Sequence, residues 1–201
     1  MSIESVEQLR NLYVAPKERA IRKQLPHLDV HCRRFISLAP FVVLASSDAG
    51  GRIDASPRGG DPGFVKVPDD GTLLIPDAPG NNRLDSLENI VATNQVGLLF
   101  MIPGVDETLR VNGTAILSDA VRDIDVCANE RRRPKLVIRV SVREAYLHCA
   151  KALMRSRLWS DESRIDRGVL PTLGQMINEQ TGIDAPVETQ EEMVRRYARD
   201  L

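Results

Sequence analysis

The chain contains 201 residues, and its 27 lysines and arginines nearly balance 28 aspartates and glutamates, so the formal net charge is −1. With 42% hydrophobic and 27% charged residues, the composition is that of a folded globular protein and excludes disordered and fibrous classes. A near-neutral chain has no general attraction for nucleic acid or anionic membranes, so an anionic ligand requires a local basic pocket. The length favours a single domain over residues 1–201.

Membrane insertion and export signals are not expected from the sequence. No stretch approaches the roughly 20 apolar residues that a membrane-spanning helix needs. The N-terminal residues include early acidic side chains and lack an apolar signal core. We therefore expect a cytoplasmic protein with neither a membrane nor a nucleic-acid partner.

The three cysteines, Cys32, Cys127 and Cys149, are odd in number, far apart and without a CxxC pair. This spacing argues against a disulfide framework and a zinc knuckle. Two histidines, His31 and His148, each precede a cysteine, and two such dipeptides could meet at a metal in the folded chain. Buried thiols beside partly exposed imidazoles are the favoured interpretation, so no metal site is predicted.

The first forty residues have the apolar spacing of helices. Pro16 suits the first turn of a second helical segment, and Asp29 is a good N-cap for a third. After residue 40 the pattern changes to short apolar or alternating runs, which predict strands. The candidate strands are residues 41–45, 53–56, 64–67, 72–75, 96–102, 108–117 and 135–145.

The remaining segments are predicted as loops and helices. Residues 56–63 contain so many glycines and prolines that we expect no regular structure there. A helix is predicted over residues 83–91, with Asn81 or Asn82 as its cap. Further helices are predicted over residues 119–130, 149–158, 171–180 and 186–200.

Five to seven strands, mostly joined by hairpins, predict a mainly β fold with flanking helices. The expected architecture is an antiparallel barrel over residues 41–148, preceded by helices in residues 1–40 and followed by helices in residues 149–201. The glycines near residue 60 do not form the GxGxxG motif, and the chain has no GxxxxGK[ST] motif. Nucleotide binding by those two routes is not expected.

Two loops carry arginines at positions suited to a phosphate. Ser56 and Arg58 lie where one strand ends, and Asn82 and Arg83 lie where a helix begins. Guanidinium groups, a hydroxyl and the free N–H groups of a helix N-terminus are all good phosphate donors. For either arginine alone, a surface position on a turn is the better explanation. Because both loops follow strand ends and contain glycines or asparagines, the pair favours a binding site.

A second candidate lies near residue 155. On a helix, Lys151, Arg155 and Trp159 are spaced by four and share one face. Two cations beside the only tryptophan suit an anionic ligand that has a flat ring. An amphipathic helix with a solvated basic face explains the pattern equally well. No Ser-His-Asp, paired-carboxylate or metal-ligand spacing is visible, so no hydrolase is predicted.

These residues resemble the FMN-binding split-barrel family that includes pyridoxamine 5'-phosphate oxidase, and most closely an uncharacterised bacterial branch of FMN-dependent enzymes. The resemblance covers roughly residues 30–160. The motifs that carry it are Ser56-Pro57-Arg58-Gly59, the run from Pro76 to Leu87, Leu109-Arg110-Val111-Asn112-Gly113 and Arg155-Ser156-Arg157-Leu158-Trp159. The resemblance implies an antiparallel split β-barrel and FMN as cofactor.

The resemblance also implies roles for individual residues. Arg58 matches a basic residue that reaches the FMN phosphate, and Arg83 matches a second phosphate ligand beside Asn82. Thr108 matches a glutamine that contacts the flavin ring, and Trp159 matches a tryptophan contributed across a dimer. The strand end that runs along the isoalloxazine corresponds to Ile75, Pro76 and Asp77.

The leading hypothesis is a homodimeric FMN-dependent oxidoreductase with FMN at the interface. Its substrate would be an unknown small molecule, with a nicotinamide as a candidate electron donor. The family's arginine and histidine for pyridoxal phosphate have no match here, so vitamin B6 oxidation is not implied. The alternatives are a non-catalytic flavin or cofactor carrier of the same fold, and a dimeric structural domain.

Overall fold

The computed structural model describes residues 2–129 and 132–198. The chain divides into two compact units, Met1–Met154 and Arg155–Leu201. The boundary falls near residue 149, where the sequence predicts that the C-terminal helices begin. The single domain expected over residues 1–201 stays a prediction.

The first unit is built on one antiparallel sheet of seven strands, in the order β2-β1-β5-β6-β7-β4-β3. The strands are β1 Phe41–Ser47, β2 Ile53–Gly59, β3 Lys66–Asp69, β4 Thr72–Pro76, β5 Gln95–Ile102, β6 Val105–Ser118 and β7 Val137–His148. Each lies where a strand is predicted, so the mainly β, antiparallel prediction is confirmed. Among the described residues the hydrogen bonding forms an open series and does not close into a ring.

The prediction that residues 56–63 are irregular is wrong for the first part of that segment. Strand β2 continues to Gly59, in register with Phe41. Its central Pro57 lacks an N–H group, which an edge strand tolerates because one side of it has no strand to pair with. β2 is such an edge, since it pairs with β1 alone.

The helices follow one another in the chain order that the sequence predicts. They are α1 Val6–Arg10, α2 Glu18–Arg22, α3 Val30–Leu38, α4 Asp85–Thr93, α5 Val121–Cys127, α6 Lys151–Ser156, α7 Leu173–Thr181 and α8 Gln190–Tyr197, with short 3₁₀ helices at Asp161–Ser163 and Arg167–Val169. Residues 130, 199 and 200 of the predicted helices lie outside the described residues. No described helix combines the length and the apolar character needed to cross a membrane.

Three predicted helix starts can be compared with the structure. Asp29 caps α3, where its carboxylate accepts a hydrogen bond from the Cys32 N–H at 2.8 Å. Helix α2 begins two residues after Pro16, which therefore lies outside its first turn. The prediction of Asn81 or Asn82 as cap of α4 is wrong, because Leu84 takes that position with φ of 61°.

The core lies on one face of the sheet. Cross-strand partners share a face, and Val42, Phe100 and Leu109 are in register across β1, β5 and β6 and fully buried. Strands β4 and β7 add Leu73, Ile75, Ile138 and Val140, and helices α3 and α4 add Ile36 and Ile90. A smaller cluster on the opposite face packs α5 against Leu74 and Val137. The sheet therefore has one main core side and an outer side.

An ion pair links two distant positions of the sheet. Arg58 on the edge strand β2 donates a hydrogen bond from Nη1 to Asp77 Oδ1 at 3.2 Å, directly after β4. Strand β4 lies five positions away in the strand order. Because strands are about 4.8 Å apart, a flat sheet would separate these residues by more than 20 Å. The sheet must therefore curl until its two ends approach each other.

Replacing Asp77 with Asn is expected to destabilise the first unit. The Arg58 and Asp77 side chains are 17% and 21% exposed, so the change leaves a largely buried cation with a weaker acceptor. We expect a loss of about 2 kcal/mol in the free energy of unfolding, less than for a fully buried pair. Urea unfolding followed by circular dichroism measures it. Asp85→Asn, which removes the exposed partner of Arg83, is the matched control, and an equal loss in both variants would contradict the argument.

Candidate functional site

The candidate site lies along the core-facing side of β2. Asp54, Ser56 and Arg58 alternate along this strand and share the face of their β1 partners, two of which are fully buried. Arg58 pairs with Asp77, and Asp54 accepts a hydrogen bond from Ser86 Oγ at 2.5 Å. These two contacts therefore hold the segment between Asp77 and Ser86 against β2 at both of its ends. On β2, Ser56 lies between the two residues that make the contacts, Asp54 and Arg58.

Arg58 has an unused hydrogen-bond donor. Its Nη1 binds Asp77, but its Nε is buried and has no partner among the described residues. Buried polar groups almost always have partners, and a guanidinium has only donors, so Nε lacks an acceptor. Ser56, two residues earlier on the same face, is half-buried and adds a hydroxyl. This donor set suits an oxyanion.

Arg83 has a different environment. Its side chain is 72% exposed and forms a two-pronged pair with Asp85, with Nε and Nη2 at 2.9 and 3.2 Å from the carboxylate oxygens. This pair raises the pKa of Arg83 and lowers that of Asp85. Arg83 also lines a surface cavity with Arg52 and Asp54. The arginine is therefore charged, reachable from solvent and already paired with one carboxylate.

The two predicted phosphate ligands lie near different ends of β2. Arg83 lines its cavity with Asp54, whereas Arg58 lies four residues further along the strand. Four strand residues span about 13 Å. The structure thus places both arginines beside the same strand and the same loop but pairs each with its own aspartate.

Helix α4 begins at this loop and is fixed to the sheet by polar contacts. Asn89 donates to Ser46 Oγ at 3.1 Å, and Thr93 donates to the Ser47 carbonyl at 2.9 Å. Asn81 accepts a hydrogen bond from the Arg83 N–H at 3.0 Å, which makes a turn just before the helix. No side chain among the described residues caps the first turn of α4. Its N-terminal N–H groups can therefore donate to a ligand.

The strand end at Ile75, Pro76 and Asp77 runs from core to surface. Ile75 is fully buried and in register with Ile138, while Pro76 and Asp77 are half-buried. The Asp77 N–H donates to the Leu136 carbonyl at 3.1 Å. Asp77 binds another predicted site residue, Arg58, through its carboxylate.

Thr108 lies on the other side of the sheet from Arg58. Arg58 is in register with Val42, and through β1 and β5 this row continues to Leu109. Thr108 is adjacent to Leu109 on β6, so its side chain points to the opposite face. It is 7% exposed and in register with His148. The first unit therefore does not bring Thr108 and Arg58 onto one surface.

The prediction that Lys151, Arg155 and Trp159 share one helix face is wrong. Lys151 and Arg155 do lie on α6, four residues apart, and both are exposed. The helix ends at Ser156, because Arg157 adopts a left-handed conformation with φ of 51°. Trp159 follows this break and is half-buried in the second unit.

Two residues that shape the site, Asp54 and Ser86, are not among those predicted from the sequence. Asp54 anchors the loop through Ser86, and Ser86 is only 3% exposed. The sequence does contain a signal for Asp54, because Asp54, Ser56 and Arg58 alternate along one strand and must therefore share a face. Ser86 has no comparable signal, because its role depends on where α4 packs.

Comparison with known proteins identifies one family whose sequence profile matches this chain. The sequence profile of the pyridoxamine 5'-phosphate oxidase family matches residues 28–149, which include all seven strands. No curated protein matches the sequence.

The chain is similar to several solved structures at low sequence identity. A variant of HupZ from Group A Streptococcus is 16% identical, with a TM-score of 0.50 over 60% of this chain and 99% of that one. An FMN-binding protein from Syntrophomonas wolfei is 10% identical, with a TM-score of 0.42 over 72% and 97%. General stress protein 26 from Bacillus anthracis is 14% identical, with a TM-score of 0.41 over 59% and 94%. Because the family profile covers more than half of the chain, the chain belongs to the pyridoxamine 5'-phosphate oxidase family.

Proposed function

We propose that the protein binds FMN and is an FMN-dependent oxidoreductase that acts on a small molecule. The observation that carries the proposal is the buried Arg58 Nε, which lacks an acceptor on a strand where the family resemblance assigns a phosphate ligand. Family membership supports a flavin as the source of that acceptor. When bound, FMN supplies the redox chemistry, while the protein supplies binding, orientation and electrostatics.

The donors around β2 and α4 are of the chemical types that bind a phosphate group. Arg58 offers Nε, Ser56 offers a hydroxyl, and the first turn of α4 offers N–H groups with the positive end of the helix dipole. Arg83 and the amide of Asn82 lie in the loop that leads into α4. Asp85 takes Nε and Nη2 of Arg83, so a phosphate binds either through the remaining donors of the guanidinium or by displacing the carboxylate. A dianion favours displacement, because it carries more charge than the carboxylate it replaces.

Other residues of the chain have proposed roles at the ring of the cofactor. We assign the backbone of Ile75, Pro76 and Asp77 to one edge of the isoalloxazine and Thr108 to a ring contact. Lys151, Arg155 and Trp159 are proposed as further cofactor contacts.

We further propose a split barrel that assembles as a homodimer with FMN at the interface. Arg58 and Thr108 lie on opposite faces of one sheet, so one FMN reaches both most simply when two copies each supply one of them. Exposed apolar residues in and between the N-terminal helices, Val6, Leu12, Tyr13, Val14 and Ile21, support burial against a second copy.

Loss of the Arg83 charge is expected to weaken FMN binding selectively. A charge-assisted hydrogen bond to phosphate contributes about 1.5–3 kcal/mol, so Arg83→Ala is expected to raise the Kd for FMN by about 10- to 100-fold. Riboflavin, which lacks the phosphate, is expected to bind equally to both proteins. Quenching of flavin fluorescence measures both constants, and Arg122→Ala on α5 is the matched control. Equal losses for FMN and riboflavin would contradict the assigned role.

A mixing experiment tests the shared site. Arg58→Met and Thr108→Phe are each expected to abolish FMN binding in a homodimer. Unfolding and refolding the two variants together creates mixed dimers, each with one intact site. Because about half of the dimers are mixed, roughly one site in four is expected to bind FMN. Gel filtration and circular dichroism confirm that each variant is folded and dimeric. If one chain supplies both residues, mixing restores no binding.

Turnover separates an oxidoreductase from a carrier. Under anaerobic conditions, NADH or NADPH is expected to bleach the visible absorbance of the FMN-loaded protein, and an added electron acceptor is expected to restore it. Free FMN at the same concentration controls for direct reduction. A protein that binds FMN but keeps its absorbance with both donors would be a carrier, contrary to the proposal.

A further inference from the structure

Three potential cations and an aromatic ring lie together on the outer face of β6 and β7. Thr108 is in register with His148, and Arg110 is in register with Tyr146. Cross-strand partners share a face, so these four side chains form a block on the face opposite the core. Lys23, from the segment before α3, completes the group. We call Lys23, Arg110, Tyr146 and His148 the outer cluster.

Lys23 is held in place by the backbone around it. Leu25 and Ala145 exchange two backbone hydrogen bonds, of 3.0 and 2.8 Å, which fix the N-terminal segment against β7. Lys23 Nζ then donates to the Leu147 carbonyl at 2.8 Å and lies 5.7 Å from the centre of the Tyr146 ring. The ammonium is therefore positioned over the ring by both a hydrogen bond and a cation–π contact.

The outer cluster has no carboxylate partner. None of the ion pairs found among residues 2–129 and 132–198 includes Lys23, Arg110 or His148. Glu144, on the same face of β7, is a diagonal neighbour of Arg110, because its register partner is Asn112. Its two oxygens accept hydrogen bonds from Asn112 and Gln24. Among the described residues, the cations of the outer cluster therefore lie beside a carboxylate that is bonded to amides and form no ion pair with it.

The charges in the cluster act on one another. Burial lowers the pKa of His148, and the nearby cations Arg110 and Lys23 lower it further. The imidazole is therefore neutral at pH 7 and can accept or donate one hydrogen bond. An anion placed between the two cations would reverse the effect of their charges on this histidine.

We propose that the outer cluster binds an oxyanion, a carboxylate or a phosphate, of the small molecule on which the protein acts. Arg110 and Lys23 supply the positive charge, His148 supplies a hydrogen bond, and the Tyr146 ring closes one side. His148 is in register with Thr108, which the proposed function assigns to the flavin ring. The substrate assignment thus rests on that function, whereas the anion site itself does not.

Histidine NMR on the flavin-free protein tests the anion site. The chain has three histidines, and the resonance that is missing from the spectrum of His148→Asn belongs to His148. Added inorganic phosphate or sodium acetate, at constant ionic strength, is expected to raise the pKa of His148 while His27 and His31 change little. Arg110→Gln and Lys23→Gln are each expected to raise the anion concentration needed for half of this shift by about tenfold.

Control variants separate this site from the proposed phosphate site. Arg83→Ala, which removes the exposed arginine of the proposed phosphate site, is expected to leave the response of His148 intact, as is Arg122→Gln on α5. A response to phosphate alone identifies a phosphorylated substrate, and a response to acetate alone identifies a carboxylated one. Equal changes in the pKa of all three histidines would overturn the proposal. It would also be overturned if Arg110→Gln needed the same anion concentration as the original protein for half of the change at His148. Because no flavin is added, this result is independent of whether FMN binds.

Discussion

The contact between Arg58 and Asp77 constrains the rest of the first unit. A guanidinium that is mostly removed from water needs an acceptor. The acceptor of Arg58 is Asp77, which directly follows β4, five positions away from β2 in the seven-stranded sheet. The sheet can satisfy this requirement only by curling, which encloses the apolar face between its two ends. The same curl brings the loop after β4 and the start of α4 beside β2. Core and candidate site therefore arise from one geometric condition.

Periodicity in the sequence predicted the sheet well because most of its strands alternate or are uniformly apolar. Residues 135–145 alternate between apolar and polar types in the sequence, and residues 96–102 form a continuous apolar run in which every second side chain up to Phe100 is buried. The same local reasoning succeeded for the cap of α3, since an N-cap depends on residues three apart. It failed where backbone conformation overrides residue preference. Leu84 begins α4 and Arg157 ends α6, each in a left-handed conformation that neither side chain favours.

The candidate site was less predictable than the fold because its properties come from pairs of residues distant in sequence. The sequence identified Arg58 and Arg83 as cations near strand ends, but it did not indicate that each has an aspartate partner. Nor did it indicate that Thr108 and Arg58 point to opposite faces, since this depends on the register of four strands. The near-zero net charge hides this arrangement. Arg58 and Arg83 each pair with an acid, whereas no ion pair among the described residues includes a cation of the outer cluster.

The pairing of Arg83 with Asp85 also has a consequence for ligand selectivity. Inside a cell, chloride and bicarbonate are far more abundant than any cofactor, and an open arginine would attract them. Asp85 occupies the Nε and Nη2 donors of this guanidinium, so an anion can take those two donors only by displacing the carboxylate. A singly charged ion gains little from that competition, whereas a doubly charged ion gains more. The aspartate thus competes with small anions for the forked side of the guanidinium, while Nη1 stays outside that competition.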